Sequence, residues 1–479
     1  MAKNKGITVK KAENMPEWYE QVILKSELAE HAPIKGCMVI RPGGYAIWQS
    51  IQDNFNSVIA KYNVKNAYFP MFIPESFFQR EASHAEGFKA EVAWVQAKTE
   101  DQQRYAIRPT SETIMYDAYA KWIRSWRDLP LRINQWCNIC RWEVQDCKLF
   151  LRSREFLWQE GHCVYETEKE CDTEARIYLK EYKKLAEELL AVPVIMGRKT
   201  ENEKFAGAKT TYTIETLMPD GKALQMGTSH NLGQGFAKAF GITYKGRDEK
   251  EHHPWQNSWG ISTRMIGAVV MMHSDDQGLV LPPRVAEKQV VIVPILFDDS
   301  RKKVLAACNK VITDLEKAGV RVFLDDRDGY SPGWKFNEWE MKGIPVRIEV
   351  GPRDLAKKNC VIVRRDAGKK QTVKLSALKN NVVKELDAMQ KSLLNKAKKM
   401  LNKKTVSASN WDEFVKAIKE GNWVKVYFCE DEKLEAEIKE KTKGVTTRCI
   451  PLNSKVPVNK KCFYSGRKAT CEILMGRNY

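Results

Sequence analysis

The sequence has 479 residues, of which 43% are hydrophobic and 29% are charged, and its formal net charge is +18. This composition is typical of globular proteins and excludes a collagen-like or wholly disordered chain. Because no apolar run approaches the ~18 residues of a membrane span, and no apolar signal core opens the sequence, we expect a cytoplasmic protein without membrane contact. Its 12 cysteines would then be thiols or metal ligands.

The positive charge is concentrated in one stretch. Residues 357–404 contain 15 lysines and arginines against three acidic residues, and so supply +12 of the excess. Such a stretch attracts polyanions such as nucleic acid or nucleotide, although a solubilising surface explains it about equally well.

Residues 1–285 mix helical and strand patterns. Apolar residues recur every three or four positions over 47–62 and predict an amphipathic helix that follows Gly43-Gly44. Two β-rich runs, 132–143 and 155–165, are joined by a polar loop and predict a long antiparallel hairpin. Thr167 and Glu170 form a capping box that opens a helix through Leu190. The apolar segment 262–274 predicts a buried helix.

In the remaining sequence, the pattern of predicted strands and helices changes twice. Residues 286–390 alternate strands with helices, predicted over 300–318 and 331–342, which indicates a small, open and mostly parallel α/β sheet. Residues 391–479 contain a lysine-rich helix and a cysteine-containing tail. We therefore expect an α+β protein with a catalytic body and appended modules.

Three arginines are candidates for phosphate binding, because guanidinium groups form bidentate bonds with phosphate oxygens. They are Arg141 in CRWE, Arg152 in FLRSREF and Arg264 in STRMIG. The alternation predicts that Arg141 and Glu143 share one side of a strand. Surface arginines are the competing interpretation. Phe156 could stack on a base, although a core phenylalanine is more common.

Several polar side chains are spaced to share one face. Thr110 and Glu112, if extended, point the same way and could hold an ammonium group, although they could equally cap the following helix. A second strand is predicted to place an aromatic ring, a carboxylate and an imidazole on one side, which indicates a polar pocket with an aromatic wall. The residues of this second strand are Trp158, Glu160 and His162. A third group, in QMGTSH, contains Gln225, Thr228 and His230 within six positions.

The cysteines give weaker signals. Cys137 and Cys140 have the spacing of half a zinc site, but a strand would place them on opposite sides, so we expect no metal there. The tail cysteines form no CxxC pair. The sequence also lacks a Walker loop and a GxGxxG motif, so any nucleotide must be held by arginines and aromatic rings.

Together these stretches resemble a class II aminoacyl-tRNA synthetase, specifically the prolyl-tRNA synthetase family. GCMVIRPGGYAIWQSIQ through AYFPMFIP resembles motif 1, NICRWE with FLRSREFLWQEGH resembles motif 2, and WGISTRMIGAVVM resembles motif 3. RPTSET, EKFAGA, GTSHNLGQGFAKAF and GLVLPPR are similar to stretches of the prolyl enzymes. The interval between motifs 2 and 3 is too short for the editing insert of many bacterial members, which indicates the archaeal/eukaryotic-like type.

The resemblance implies ATP-dependent attachment of L-proline to tRNA(Pro) through a prolyl-adenylate, with release of AMP and diphosphate and with Mg²⁺ as cofactor. It implies a homodimer formed through motif 1. It also implies a class II antiparallel-sheet catalytic domain over 1–285, an anticodon-binding α/β domain over 286–390 and a small α/β C-terminal domain over 391–479.

The family roles transfer to matching positions of this sequence. Catalysis would rest on Arg141, Arg152 and Arg264. Proline would be bound by Thr110, Glu112, Arg141, Trp158, Glu160, His162, Phe205, Thr228 and His230. ATP would be bound by Arg141, Glu143, Arg152, Ser153, Phe156, Gln225, Thr228, Ser262, Thr263 and Arg264. The anticodon would meet Glu340 and Arg347.

The tail departs from the family pattern. Cys429 and Cys462 match two of four zinc ligands, but Leu434 and Ser465 occupy the other two positions, so zinc is doubtful. The resemblance also implies that the aromatic Tyr479 tucks towards the catalytic domain. Three other interpretations stay open: a synthetase for threonine, serine or glycine, a non-catalytic RNA-binding relative, and a basic RNA-binding module without chemistry.

Overall fold

An eleven-stranded sheet runs from the middle of the chain into its C-terminal part, in a computed structural model that describes residues 6–77, 92–95 and 104–479. Its neighbouring strands are antiparallel except at the two edges. In spatial order they are Thr405–Ser407, Trp423–Phe428, Cys471–Gly476, Thr446–Pro451, Ile195–Arg198, Thr210–Leu217, Ala223–Gly233, Trp255–Ser262, Glu155–Tyr165, Leu131–Cys140 and Lys65–Asn66.

Helices cover this sheet, and short strands flank it. The helices of this part are Met15–Lys25, Pro42–Ile59, Glu112–Trp122, Glu168–Lys184, Gly235–Ala239 and Arg264–His273, with 3-10 turns at Ala60–Tyr62 and Trp126–Asp128. The short strands are Ala29–His31 with Met38–Ile40, Tyr244–Lys245 with Glu251–His252, and Phe72–Pro74, Tyr105–Ile107 and Trp94–Val95. Among the described residues, no helix is both long and apolar enough to cross a membrane.

The predicted amphipathic helix is confirmed as Pro42–Ile59, with its apolar stripe buried in the main core. The expectation that Gly43-Gly44 precede the helix was wrong, because both lie in its first turn. A Cβ atom at Gly44 would come within 2.3 Å of the carbonyl oxygen of Leu28, so this close approach requires glycine.

The predicted hairpin, capping box and buried helix are also confirmed. Leu131–Cys140 pairs antiparallel with Glu155–Tyr165. Thr167 and Glu170 cap each other at the start of Glu168–Lys184, which continues as a π-helical turn over Leu185–Leu189. Every residue of Arg264–His273 except Arg264 and Met272 is buried.

The strand prediction for Arg141 and Glu143 was wrong. The strand ends at Cys140, and residues 141–143 form a turn. The amide of Arg141 still donates to the carbonyl of Arg154 at 2.7 Å, in the register of the hairpin, but the amide of Val144 then donates to the carbonyl of Arg141 at 3.5 Å, so the chain turns and Glu143 leaves the strand.

The third part of the chain forms a five-stranded sheet of its own. In spatial order its strands are Val322–Leu324, Val290–Pro294, Val346–Val350, Asn359–Arg364 and Lys370–Lys374. The first three strands are parallel to one another, and each of the last two pairs antiparallel with the strand before it. The sheet is therefore mixed, where a mostly parallel one was expected. Its helices are Arg301–Glu316, Pro332–Met341 and Pro352–Ala356, with a 3-10 turn at Leu375–Ala377.

The lysine-rich helix spans Leu378–Lys404 and therefore links this sheet to the C-terminal part. There the helices Trp411–Lys419 and Glu432–Lys441 pack on the strands of the large sheet. Tyr479 donates to the carboxylate of Asp220 at 2.5 Å, and the Nζ atoms of Lys148 and Lys222 each lie 5.2 Å from its ring centroid. The C-terminal tyrosine thus contacts the part of the chain, residues 1–285, in which the resemblance places the catalytic domain.

Candidate active site

A cavity of about 270 Å³ opens on the large sheet, between strands of the hairpin and the strand Ala223–Gly233. The nine residues predicted to bind proline all line it: Thr110, Glu112, Arg141, Trp158, Glu160, His162, Phe205, Thr228 and His230. The structure therefore brings together side chains that are more than 100 positions apart in sequence.

One end of this cavity is acidic. Glu160 and His162 lie on one face of Glu155–Tyr165, and their charged groups are 3.0 Å apart and almost completely buried. The amide of Gln135 also donates to Glu160, at 3.0 Å. Burial acts to raise the pKa of Glu160, but the hydrogen bond and charge of His162 outweigh it and lower that pKa. A carboxylate held in this way stays ionised.

The imidazole responds in the opposite direction. Burial acts to lower the pKa of His162, but the bond to Glu160 and the charges of Glu112 and Glu160 raise it above its ordinary value. Tyr116 contacts the other ring nitrogen at 3.0 Å. The imidazole therefore tends to be protonated and to share a charge pair with Glu160.

Glu112 adds a second carboxylate at the same end. It begins the helix Glu112–Trp122, and its side chain accepts a hydrogen bond from the hydroxyl of Thr110. Ligand atoms of Glu112, Glu160 and His162 all lie within 4.8 Å of one another. Two carboxylates against one imidazolium leave net negative charge, which suits an ammonium group.

A β-bulge orients the opposite wall. Pairing along Ala223–Gly233 jumps from Gly227 opposite Ile214 to Gln225 opposite Glu215, so Met226 has no partner. This extra residue reverses the alternation and turns Gln225 to the side of Thr228, where the unbroken period would have turned it away. Gln225 accordingly lines the cavity.

Phe205 and His230 complete this wall. Their ring centroids are 4.9 Å apart, and Nδ1 of His230 lies 2.9 Å from the hydroxyl of Thr211. Burial, with the charge of His162, lowers the pKa of His230 to about 3, so this imidazole stays neutral.

Sequence reasoning missed other residues of the same cavity, namely Lys199, Glu203, Lys204, Thr211, Ser258, Trp259 and Gly260. Thr211 had a usable signal, because it alternates with Thr213 and Glu215 along one strand. Lys199 had none, since long-range contacts alone turn it inward.

The other end of the cleft is cationic. The guanidinium carbon of Arg141 lies 5.6 Å from the ring centroids of both Phe156 and Trp158. Burial lowers the pKa of Arg264 to about 10, and the charges of Arg141 and Arg152 add to this effect against Glu215. A buried guanidinium whose pKa is lowered by neighbouring guanidinium groups forms a ready site for anions.

The remaining residues predicted to bind ATP surround these arginines less closely. Arg152 and Glu143 are exposed, and Ser262 accepts a hydrogen bond from the amide of Arg264 at 3.3 Å. Within the described part of the chain, the buried hydroxyls of Ser153 and Thr263 have no hydrogen-bond partner. None of the five residues Glu143, Arg152, Ser153, Ser262 and Thr263 lines the cavity itself, and neither do Phe156 and Arg264. The guanidinium of Arg264 borders the cavity, because it donates to the backbone carbonyl of the lining residue Gln225 at 3.3 Å.

Within the ranges that the structure describes, the cysteine positions hold no set of four zinc ligands. The thiol of Cys137 accepts a hydrogen bond from the indole of Trp158, a pocket residue, at 3.2 Å. In the tail, the Cys429 thiol and the Ser465 hydroxyl are 3.7 Å apart, and the guanidinium of Arg467 donates to Cys429 at 3.3 Å. A cation beside the thiol of Cys429, and the half-buried Leu434 packed against the apolar core, do not fit a structural zinc ion.

The two anticodon candidates border one small cleft of the five-stranded sheet. Glu340 lies near the end of Pro332–Met341, and Arg347 lies on Val346–Val350. The guanidinium of Arg347 donates to Glu349 at 3.0 Å and lies over the ring of Phe336.

Comparison with known protein families gives a match in each of the three parts of the chain. Family models described as tRNA synthetase class II core domain (G, H, P, S and T), Anticodon binding domain, and Prolyl-tRNA synthetase, C-terminal match residues 89–273, 289–385 and 411–479.

Among similar proteins, the chain is 46% identical over 486 residues to Proline--tRNA ligase 2 of Clostridioides difficile (strain 630), covering 100% of both. It is 46% identical to a Proline--tRNA ligase of Cenarchaeum symbiosum (strain A), covering 99% of each. It is 44% identical to Proline--tRNA ligase, cytoplasmic of Arabidopsis thaliana, covering 99% of this chain and 91% of that one. The chain therefore belongs to the proline–tRNA ligase family.

Proposed function

We propose that this chain attaches L-proline to tRNA(Pro) in two steps, with the acidic pocket as the amino-acid site and the arginine group as the site of the ATP phosphates. The carrying observation is that one cleft has opposite charge at its two ends. Net negative charge at Glu112, Glu160 and His162 suits the proline ammonium. Arg141 and Arg264 suit the carboxylate and the phosphates.

In the first step, the proline carboxylate attacks the α-phosphorus of ATP, a new C–O–P bond forms, and diphosphate leaves. No protein nucleophile is required. The chain contributes by holding the two reactants in line and by stabilising phosphate charge with Arg141, Arg152 and Arg264. Phe156, beside Arg141, offers a ring on which adenine stacks.

Mg²⁺ enters this proposal with ATP, as is general for class II synthetases. The carboxylate of Glu143 is exposed, and its negative charge favours the charged form of Arg141. Carboxylate oxygens are ligands of the kind that Mg²⁺ takes. Bound there, the ion would neutralise phosphate charge.

In the second step, a terminal ribose hydroxyl of the tRNA attacks the activated carbonyl, and AMP leaves. A groove of about 610 Å³ on the anticodon-binding part supports the tRNA partner, because exposed lysines surround it. Among the described residues, no ion pair neutralises its lysines, which are Lys310, Lys357, Lys358, Lys374 and Lys379. Salt should therefore weaken tRNA binding. Glu340 and Arg347 are proposed to meet the anticodon.

We further propose a cytoplasmic homodimer formed through residues 36–73. Val39, Tyr45 and Phe72 are 51%, 42% and 47% exposed, which is unusual for apolar side chains so close in sequence. Analytical ultracentrifugation of Val39→Glu beside the unaltered chain tests this interface.

ATP–diphosphate exchange by the purified chain, one amino acid at a time and without tRNA, tests the function. We expect exchange with proline. Exchange with threonine, serine or glycine instead would overturn the pocket assignment. No exchange even after addition of tRNA would favour a non-catalytic relative.

The pocket also predicts incomplete discrimination. Alanine is smaller than proline and cannot be excluded sterically, and each lost methylene costs only about 1–3 kcal/mol of transition-state binding. We expect measurable alanine-dependent exchange. A rate below one part in ~10⁵ of the proline rate would contradict this expectation.

A further inference from the structure

The segment from Arg198 to Phe205 forms one wall of the candidate amino-acid pocket. Lys199, Lys204 and Phe205 line the cavity. The segment begins at the end of strand Ile195–Arg198, which pairs with Thr446–Pro451 from the C-terminal part. One side of it therefore faces the pocket, and the other faces residues far along the chain.

Three side chains of this segment are anchored by carboxylates of the C-terminal part. The guanidinium of Arg198 donates to both oxygens of Glu430, at 2.6 and 2.8 Å. The hydroxyl of Thr200 and the amide of Asn202 donate to one oxygen of Glu435, at 3.1 and 3.2 Å. These bonds fix the segment at three points before it reaches Phe205.

Glu435 is a dedicated acceptor for these bonds. It lies on the inner side of Glu432–Lys441, is 7% exposed, and also accepts from the hydroxyl of Thr447 at 2.9 Å. A buried carboxylate with three donors is a rigid anchor, because any displacement would leave it unsatisfied.

A buried charge cluster adds a fourth anchor. Nζ of Lys199 donates to Glu215 at 2.6 Å and to the backbone carbonyl of Arg448 at 2.8 Å. The guanidinium of Arg448 donates to the other oxygen of Glu215 at 2.9 Å. All three side chains are at most 5% exposed, so each charge depends on the others for compensation.

We infer that the C-terminal part sets the position of the amino-acid pocket wall, with Glu435 and Arg448 as positioning residues that act through Thr200, Asn202 and Lys199. This inference rests on the proposed function, since it takes the cavity to be the proline site. Neither positioning residue lines the cavity, so neither contacts the amino acid.

Proline-dependent ATP–diphosphate exchange without tRNA tests the inference in Glu435→Ala. We expect the KM for proline to rise roughly 5- to 20-fold, as expected for a lost charge-assisted bond, while the KM for ATP stays within about twofold. Glu437→Ala is the matched control, because Glu437 lies on the same helix, is exposed and accepts a hydrogen bond from Tyr464 of the C-terminal part. It should behave like the unaltered chain.

A merely destabilised variant would lose active enzyme and lower kcat at an unchanged KM for proline. That outcome would overturn the inference. Thr200→Val removes the donor from the other side and preserves side-chain shape. It should raise the same KM. Because both substitutions remove the same hydrogen bond, the fold-increase in KM of the double variant should be smaller than the product of the two single fold-increases.

Hydrogen exchange separates this inference from the proposed function. The amide of Lys199 donates to the carbonyl of Thr211, and that of Phe205 to its hydroxyl. We expect these amides to exchange faster in Glu435→Ala than in Glu437→Ala, whatever the chain activates. Equal rates would overturn the inference. If the unaltered chain shows no proline-dependent ATP–diphosphate exchange, that result would overturn only the proposed function.

Discussion

At the acidic end of the cleft, the carboxylates already have partners, whereas at the other end the charges of neighbouring guanidinium groups help to lower the pKa of Arg264. Glu160 is paired with His162, and Glu112 accepts from Thr110. The charges of Arg141, Arg448 and Arg152 instead lower the pKa of Arg264, and the charge of Glu215 opposes them. The acidic end is thus complete before ligand arrives, while the cationic end is completed by an anion.

The difference predicts which end dominates catalysis. Phosphate charge develops during the reaction, so groups at the cationic end contribute most in the transition state. The proline ammonium keeps its charge throughout, so groups at the acidic end contribute mainly to binding.

The largest effect is expected for Arg264→Ala. Removal of a preorganised cation at the phosphate site should lower kcat for diphosphate exchange by roughly 10²–10³-fold. Steady-state kinetics with both substrates checks this. Arg301→Ala is the control, because Arg301 pairs with Asp328 on the surface of another part of the chain. A kcat within threefold of the unaltered value would break the comparison.

A smaller effect is expected for Glu112→Gln. Loss of one negative charge should raise the KM for proline by roughly 10- to 100-fold, the range for a hydrogen bond to a charged group. The KM for ATP should hardly change. Asp117→Asn, on the same helix and paired with Lys121, serves as control. Equal losses in both KM values would show that the acidic end is not specific for the amino acid.

A still smaller effect is expected from pH. The pKa of His162 is raised in the folded protein, so its pair with Glu160 stabilises the fold fully below pH ~6.5 and is lost as pH rises through the folded pKa. Loss of that proton makes the pocket more negative. The KM for proline should therefore fall severalfold as pH rises from 6 to 9, and His162→Gln should flatten the profile. If the KM for proline depended on pH in His162→Gln as it does in the unaltered chain, the assignment of this effect to His162 would be contradicted.

The smallest effect is expected from metal removal. The guanidinium of Arg467, which also pairs with Asp431, donates to the thiol of Cys429 and places positive charge beside a predicted zinc ligand. A chelator should therefore shift the thermal midpoint by less than about 1 °C, a shift worth only tenths of a kcal/mol. A larger fall, with zinc detected by mass spectrometry, would restore the metal site.

Local periodicity predicted much of the acidic end. The period of two along Glu155–Tyr165 correctly placed Glu160 and His162 on one face, because a paired strand enforces strict alternation. The same rule failed at Arg141 and Glu143, since the strand ends at Cys140. Gln225, grouped with Thr228 and His230 because they are close in sequence, joins them in the cavity because a bulge reverses the alternation. Bulges and strand ends depend on partner strands, which no local pattern contains.

The least predictable contacts were those between distant residues. Lys199 meets Arg448 across 249 positions, and nothing in either local sequence indicates it. The fold class was predictable because it depends on element types, and the inner wall of the pocket was not, because it depends on tertiary contact.

The strand order of the large sheet has a consequence for synthesis of the chain. Cys471–Gly476 lies between Trp423–Phe428 and Thr446–Pro451, and the latter pairs with Ile195–Arg198. Domains form in the order in which the ribosome supplies them, so the edge at Ile195–Arg198 is open while the rest of the chain is made. A ribosome that stalls within the C-terminal part would leave an exposed strand edge, which is prone to aggregation. Newly made chains would therefore acquire a finished pocket wall only after translation has passed the last strand.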